Sequence, residues 1–206
     1  SRQFSSSISG GINVKMITQS ISNAKASGVA FDAGVRYITG ENENIKFAIS
    51  LKNVGGPMAF SGDGLNLDII NSSTGNTIAM AQRVSDFELP SLLSIGASYD
   101  FLFNENNTLT VAAAFTSNSF TKDQFRLGAN YAMTTSKAIM MLRAGYVFEN
   151  GILNKETRTT ALTGLTAGLS VDFPFGESKS PIGLDYTYRA SVFGPIHTVG
   201  ARLNIK

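Results

Sequence analysis

The chain has 206 residues, a formal net charge of +2 and 16% charged residues, where about 25% is usual for a soluble domain. There is no Lys/Arg cluster, so the charge implies no nucleic-acid partner. With no cysteine and one histidine, disulfides, thiolate metal sites and His-based metal clusters are excluded.

The length fits one all-β domain over residues 1–206. There is no run of about 18 apolar residues to make a transmembrane helix, and the first residues carry no signal-peptide pattern. Ser1-Arg2-Gln3-Phe4 reads as a processed or truncated start, with N-terminal strands missing.

Ten segments carry a two-residue period, the mark of a strand with two unlike faces. The first runs from Phe4 to Gln19, with Ile8, Ile12, Val14 and Met16 on one face and Ser9, Gly11, Asn13 and Lys15 on the other. The second alternates Val29, Phe31, Ala33, Val35 and Tyr37 with Ala30, Asp32, Gly34 and Arg36. After the charged turn Gly40–Asn44, the third sets Ile45, Phe47, Ile49 and Leu51 against Lys46, Ala48, Ser50 and Lys52.

The period breaks over residues 55–87. Long irregular stretches are usually functional or mobile. This one is rich in Met58, Phe60, Leu65, Leu67, Ile69 and Ile70, and residues 65–70 can pair with 77–81 as a hairpin arm. Alternation resumes after Pro90. The fourth segment carries Leu93, Ile95, Ala97, Tyr99, Phe101 and Phe103. The fifth carries Leu109, Val111, Ala113 and Phe115, and the sixth Phe125, Leu127, Ala129, Tyr131 and Met133. The seventh has Met140, Leu142, Ala144, Tyr146 and Phe148; a polar loop to Thr160 precedes the eighth, with Leu165, Ala167, Leu169, Val171 and Phe173. The ninth holds Leu184, Tyr186 and Tyr188. The tenth ends the chain with Val199, Ala201, Leu203 and Ile205 against Thr198, Gly200, Arg202 and Asn204.

Segments of about 9–14 residues exceed the mode of about 5–6 for soluble sheets and suit a tilted crossing of a bilayer. The polar face is Gly/Ser/Thr/Asn-rich with isolated charges of both signs, as a barrel lumen requires; aromatics gather near segment ends, as at a membrane interface. The expected fold is an antiparallel transmembrane β-barrel of the bacterial outer membrane. Thr198, Gly200, Leu203 and Ile205 match the C-terminal assembly signal of such barrels. Periplasmic turns are short and outer loops long. With the C-terminus periplasmic, 55–87 and 150–161 both fall on the extracellular side.

The order of motifs resembles the PorV family. The resemblance is carried by Gly11-Ile12-Asn13-Val14-Lys15, Ala30-Phe31-Asp32-Ala33-Gly34-Val35, Ile49–Gly55 and Leu89–Tyr99. It continues through Phe125–Tyr131, Leu142–Tyr146, Gly164–Leu169 and Leu184-Asp185-Tyr186-Thr187-Tyr188-Arg189 followed by Gly194-Pro195-Ile196-His197. It spans the chain except for the two long loops. The resemblance implies a FadL-like barrel, fourteen strands in the family against about ten here. This chain is then either part of such a barrel or a smaller one. It also implies a role in type IX secretion: binding the large translocon barrel (SprA/Sov-like), receiving substrates by their C-terminal domains and delivering them to a surface sortase, amid membrane lipids.

No enzyme is expected, and no cofactor or metal. Asp172 and Asp185 lie beside Arg143, Arg189 and Arg202 and read as a lumen charge network rather than catalytic carboxylates. His197 reads as an interface residue. Residues Met58, Phe60, Leu65, Leu67, Ile69 and Ile70 either dock onto a partner or fold over the barrel mouth as a lid. A FadL-like transporter of hydrophobic small molecules is the alternative function and needs an apolar lumen; a purely structural barrel is a third.

Overall fold

The computed structural model describes residues 2–70, 75–175 and 180–203. In chain order the strands are β1 (Arg2–Gln3), β2 (Ile8–Ile21), β3 (Ala24–Thr39), β4 (Ile45–Gly55), β5 (Asn66–Ile70), β6 (Thr77–Ala81) and β7 (Leu92–Asn104). Then come β8 (Asn107–Asn118), β9 (Gln124–Thr134), β10 (Ile139–Glu149), β11 (Leu162–Phe175), β12 (Ser180–Ser191) and β13 (Ile196–Leu203). Strands β1–β4 and β7–β13 form one eleven-stranded sheet in which chain neighbours are sheet neighbours. Every pairing in it is antiparallel. Strands β5 and β6 make a separate hairpin after a 3-10 turn at Asp63–Leu65. The ten long strands are the ten alternating segments, and the hairpin is the arm expected within 55–87.

The first boundary differs from the sequence reading. Phe4 is not in β2. Ser5 Oγ accepts from the N–H groups of Ser7 and Ile8 at 3.3 and 3.1 Å, and the Phe4 N–H donates to the Ile8 carbonyl at 2.9 Å. This serine turn reverses the chain, so β1 runs back along β2 with Gln3 opposite Ser9. Short hydroxyl side chains compete with a ladder in this way. Another local departure is at Asn53, whose φ of 58° is left-handed, a conformation Asn tolerates. The β3–β4 register shifts there, and the Asn53 N–H donates to Asp32 Oδ1 at 2.8 Å.

The described residues form a sheet that does not close on itself, in keeping with the expectation of a chain that lacks some of the strands of a full barrel. No ladder joins β13 to β1 or β2, and the sheet has two free edges. The accessible surface is 14515 Å², against about 9,300 Å² for a compact folded monomer of this mass. A sheet with no second layer has this excess.

The two faces are separated by chemistry. Register puts Ile12, Ala33, Leu51, Leu93, Ser117 and their alternates on one face; Asn13, Asp32, Ser50 and Ser94 fall on the other. Every charged residue within the long strands, apart from Lys25 at the start of β3, lies on the polar face. The apolar face is the more exposed of the two. On β7, Leu93, Ile95, Ala97, Tyr99 and Phe101 are exposed while Ser94, Gly96, Ser98 and Asp100 between them are half-buried. Met16 is 82% exposed and Leu127 63%. The polar side is thus the sheltered, inner side of a bent sheet.

Candidate functional site

The polar face carries three sets of paired charges. On the first strands Lys15 Nζ meets Asp32 Oδ1 at 2.6 Å and also donates to Asn53 Oδ1, whose side-chain amide donates to the Pro90 carbonyl at 2.8 Å. In the middle Lys46 pairs with Asp100, which accepts from Thr110 Oγ1 at 2.6 Å. Toward the end of the sheet Arg202 meets Asp172 at 2.8 Å and Asp185 at 3.6 Å. Arg143 reaches Asp185 at 3.9 Å and donates to Ser170 Oγ at 2.9 Å, and Ser170 donates to Asp185. Four of the five residues expected as a charge network are therefore brought together. Arg189 is not among them; it stands across β11 from Thr166 and carries no ion pair among the described residues.

Paired charges suit a sheltered polar face because each desolvated carboxylate finds a cation. Asp185→Ala is expected to lower stability by about 1 kcal/mol, nearer the surface-pair range than the 3–5 kcal/mol of a fully buried pair. The side chains of Arg143 and Arg202 are 44% and 50% exposed and that of Asp185 31%, so water screens them. Urea titration of the refolded protein in vesicles measures the difference; no change would mean that the pairs add nothing.

Loops gather at one end of the sheet. The connections 22–23, 56–91, 119–123, 150–161 and 192–195 share that end, opposite 40–44, 105–106 and 135–138. This is the division expected from loop length; Pro174–Ser180, expected at the short-turn end, lies in part outside the described residues. The long-loop end is tied together. Lys25 and Ser61 exchange backbone hydrogen bonds at 2.8 and 2.9 Å, and Gly64 N–H donates to the Asn23 carbonyl at 3.3 Å. Lys122 Nζ donates to the carbonyls of Asn150 and Thr157 at 2.8 and 2.6 Å.

The six apolar residues singled out in the long loop divide. Met58 is 2% exposed and packs with Ala26, Ala30 and Leu89, joined by Ile17, Phe60 and Phe87. Phe60 and Phe87 stack at 5.5 Å, and Met58 and Phe87 exchange backbone hydrogen bonds at 2.8 Å. This part of the loop lies against the polar side of β3, where Ala24, Ala26, Gly28 and Ala30 leave room. A Cβ on Gly28 would stand 2.6 Å from the Met58 side chain. Leu65 is half-buried. Leu67 and Ile69 are exposed and lie outside this cluster. They pair with Met80 and Ile78, so four exposed aliphatic side chains share one face of the β5–β6 hairpin, with Ile70 exposed on its other face.

The sequence reading missed the residues beneath loop 150–161. Glu149 is 2% exposed. Its oxygens accept from Gln124 Nε2 at 2.8 Å and Thr159 Oγ1 at 3.1 Å, and Gln124 Oε1 accepts from Arg126 at 2.8 Å. Leu92, Val147 and Ile196 also fall on the polar face, beyond Ile17, Ile139 and Met141. The parity of Glu149 and Arg126 was readable, but their convergence depends on how the loop folds back. Of the residues expected as an assembly signal, Thr198, Gly200 and Leu203 lie in β13 and Ile205 is outside the described residues. His197 lies on the apolar face; its Nδ1 is 2.6 Å from Tyr186 Oη and its ring packs edge-on to Tyr188. Among the described residues no group of His, Asp and Glu is placed to hold a metal ion.

No family model matches the chain, and no curated protein matches it significantly. Solved structures similar to it include a triple mutant of the Rhodopseudomonas blastica porin and a second variant of that porin. Each is 14% identical, with a TM-score of 0.44, over 94% of this chain and 55% of the porin. The chain thus spans about half the length of the porin chains it matches.

Proposed function

We propose that this sheet is wall of an outer-membrane β-barrel, its apolar face in lipid, and that the barrel works in protein export by the type IX route. The observation that carries the first part is the inverted exposure of the two faces. In water the apolar face would be turned inward; here it is the open one, and the ion pairs are on the sheltered side. Lipid stabilises that arrangement, and a lumen accommodates the charges. The second part rests on the ordered motifs shared with PorV-like proteins. In this role the barrel holds the translocon and passes substrates, by their C-terminal domains, to the surface sortase. The FadL-like reading asks for a continuous apolar lumen, whereas the sheltered face here carries ion pairs from its first strands to its last, apart from a short apolar wall beneath loop 150–161.

The test is removal of the protein from its host. Substrates with a type IX C-terminal domain are expected to accumulate in the periplasm and vanish from the surface, with restoration by the intact gene. Undisturbed surface display would sink the export role while leaving the membrane assignment standing.

A further inference from the structure

Between loop 150–161 and the polar face lies a cavity of about 390 Å³, within the size range of small-molecule sites. Two arginines flank it. Arg126 on β9 sits opposite Val147 on β10; Val147 abuts Gly164 on β11; and Thr166 on β11 sits opposite Arg189 on β12. The two arginines are three strand spacings and a two-residue offset apart, about 16 Å at the backbone, within the joint reach of two long side chains with a carboxylate between them. Gly164, at φ 93°, forms the floor between them; a Cβ there would stand 2.3 Å from the Val147 carbonyl oxygen.

The charge balance of this cavity differs from that of the ion-pair clusters. Lys15, Lys46, Arg143 and Arg202 each meet a carboxylate. Arg126 and Arg189 meet none among the described residues, although Glu149 lines the same cavity. Both oxygens of Glu149 are already engaged by Gln124 and Thr159. Gln124 in turn holds Arg126, so the buried carboxylate fixes that guanidinium without neutralising it by contact. Guanidinium forks are matched to oxyanions. Glu149 leaves the site with one net positive charge, which favours a monoanion over a phosphate dianion. Val147, Ile152 and Leu162 supply an apolar wall.

We infer that this cavity binds a carboxylate with an apolar body, the carboxylate bridging Arg126 and Arg189 and the body lying on Val147, Ile152 and Leu162. The site is separate from the export reading and stands or falls without it. The same chemistry is presented by a free small acid and by the C-terminus of a peptide.

The full protein in detergent micelles is titrated by calorimetry with 3-phenylpropionate and with its uncharged amide. A second pair, a short peptide ending in Phe with a free or an amidated C-terminus, distinguishes the two sources. Saturable binding of the acid is expected, with the amide weaker by about tenfold or more, the loss of one charge-assisted hydrogen bond. Arg126→Gln and Arg189→Gln should each weaken the acid by about tenfold. Both residues are exposed, so the variants should fold, which unchanged heat-modifiable mobility on gels verifies. Tighter binding by the free-acid peptide assigns the site to chain ends, and tighter binding by the small acid to free ligands; both support it. Equal affinity for acid and amide, no binding at millimolar acid, or wild-type affinity in both arginine variants overturns it.

Discussion

Ala113→Arg is expected to cost about 2–4 kcal/mol of stability in a bilayer, the penalty for a cation near the midplane on a lipid-facing strand. Ala112→Arg, one residue earlier, should cost under about 1 kcal/mol, because lumen-facing substitutions escape that penalty. Both alanines sit at the centre of β8. Ala113 lies between Ala97 and Leu127, on the apolar face, and Ala112 between Ser98 and Gly128, on the polar face. The residue type, strand and depth are held constant and only the face changes. Urea unfolding in lipid vesicles gives both values. Equal costs at the two positions would remove the lipid assignment, since nothing else in the fold separates neighbours this sharply. In water without detergent the wild type should aggregate, because an apolar sheet face this extended is not tolerated on a soluble monomer.

The ten long strands and their faces were legible because each repeats one simple rule, whereas the two-residue β1 is too short to show it. Leu93 to Phe101 states it in full: every odd side chain is apolar, and the structure exposes those and shelters the ones between. The ion pairs were partly legible for the same reason, since parity puts Asp172, Asp185, Arg143 and Arg202 on one face. Which of them touch is a matter of register. Asp185 lies opposite Ser170 and Gly200, and that offset is set by the turns. Arg189 was grouped with them by sequence proximity, yet its partner across the ladder is Thr166. Closure was not legible in either direction, because a repeating two-residue pattern carries no mark of where a sheet ends. The docking of Met58 left a faint trace. Ala24, Ala26, Gly28 and Ala30 form an unusually small stripe on the polar face of β3. Small residues there have no reason until something packs over them.

That stripe leads to the second large effect, the release of the long loop by Met58→Asp. Met58 is nearly fully enclosed by Ala26, Ala30 and Leu89. A carboxylate in that pocket would be enclosed by apolar side chains, and Lys15, across the ladder from Ala30, is already held by Asp32 and Asn53; an unpaired buried charge costs several kcal/mol or neutralises itself. Burial of Met58 contributes about 1.5–3 kcal/mol to docking, so the substitution both removes the gain and adds a penalty. The ladders of β2, β3 and β4 do not depend on Met58. The loop is therefore expected to leave the face while the sheet stays intact. Limited proteolysis in vesicles should cut within 56–90 at least about tenfold faster, the equivalent of about 1.4 kcal/mol of docking lost, with heat-modifiable mobility unchanged. Gly28→Val should release the same loop from the opposite side, since its Cβ alone would overlap Met58. Wild-type protease resistance in both variants would mean that the loop is held elsewhere. The comparison with Ile69→Asp then separates lid from dock. Ile69 is exposed on the hairpin and contributes nothing to the Met58 cluster. If the proposed translocon partner is pulled down by the wild type, loss of that pull-down by Ile69→Asp, with normal protease resistance, assigns the hairpin face to it. Loss only in Met58→Asp and Gly28→Val assigns the loop's role to its seating over the polar face.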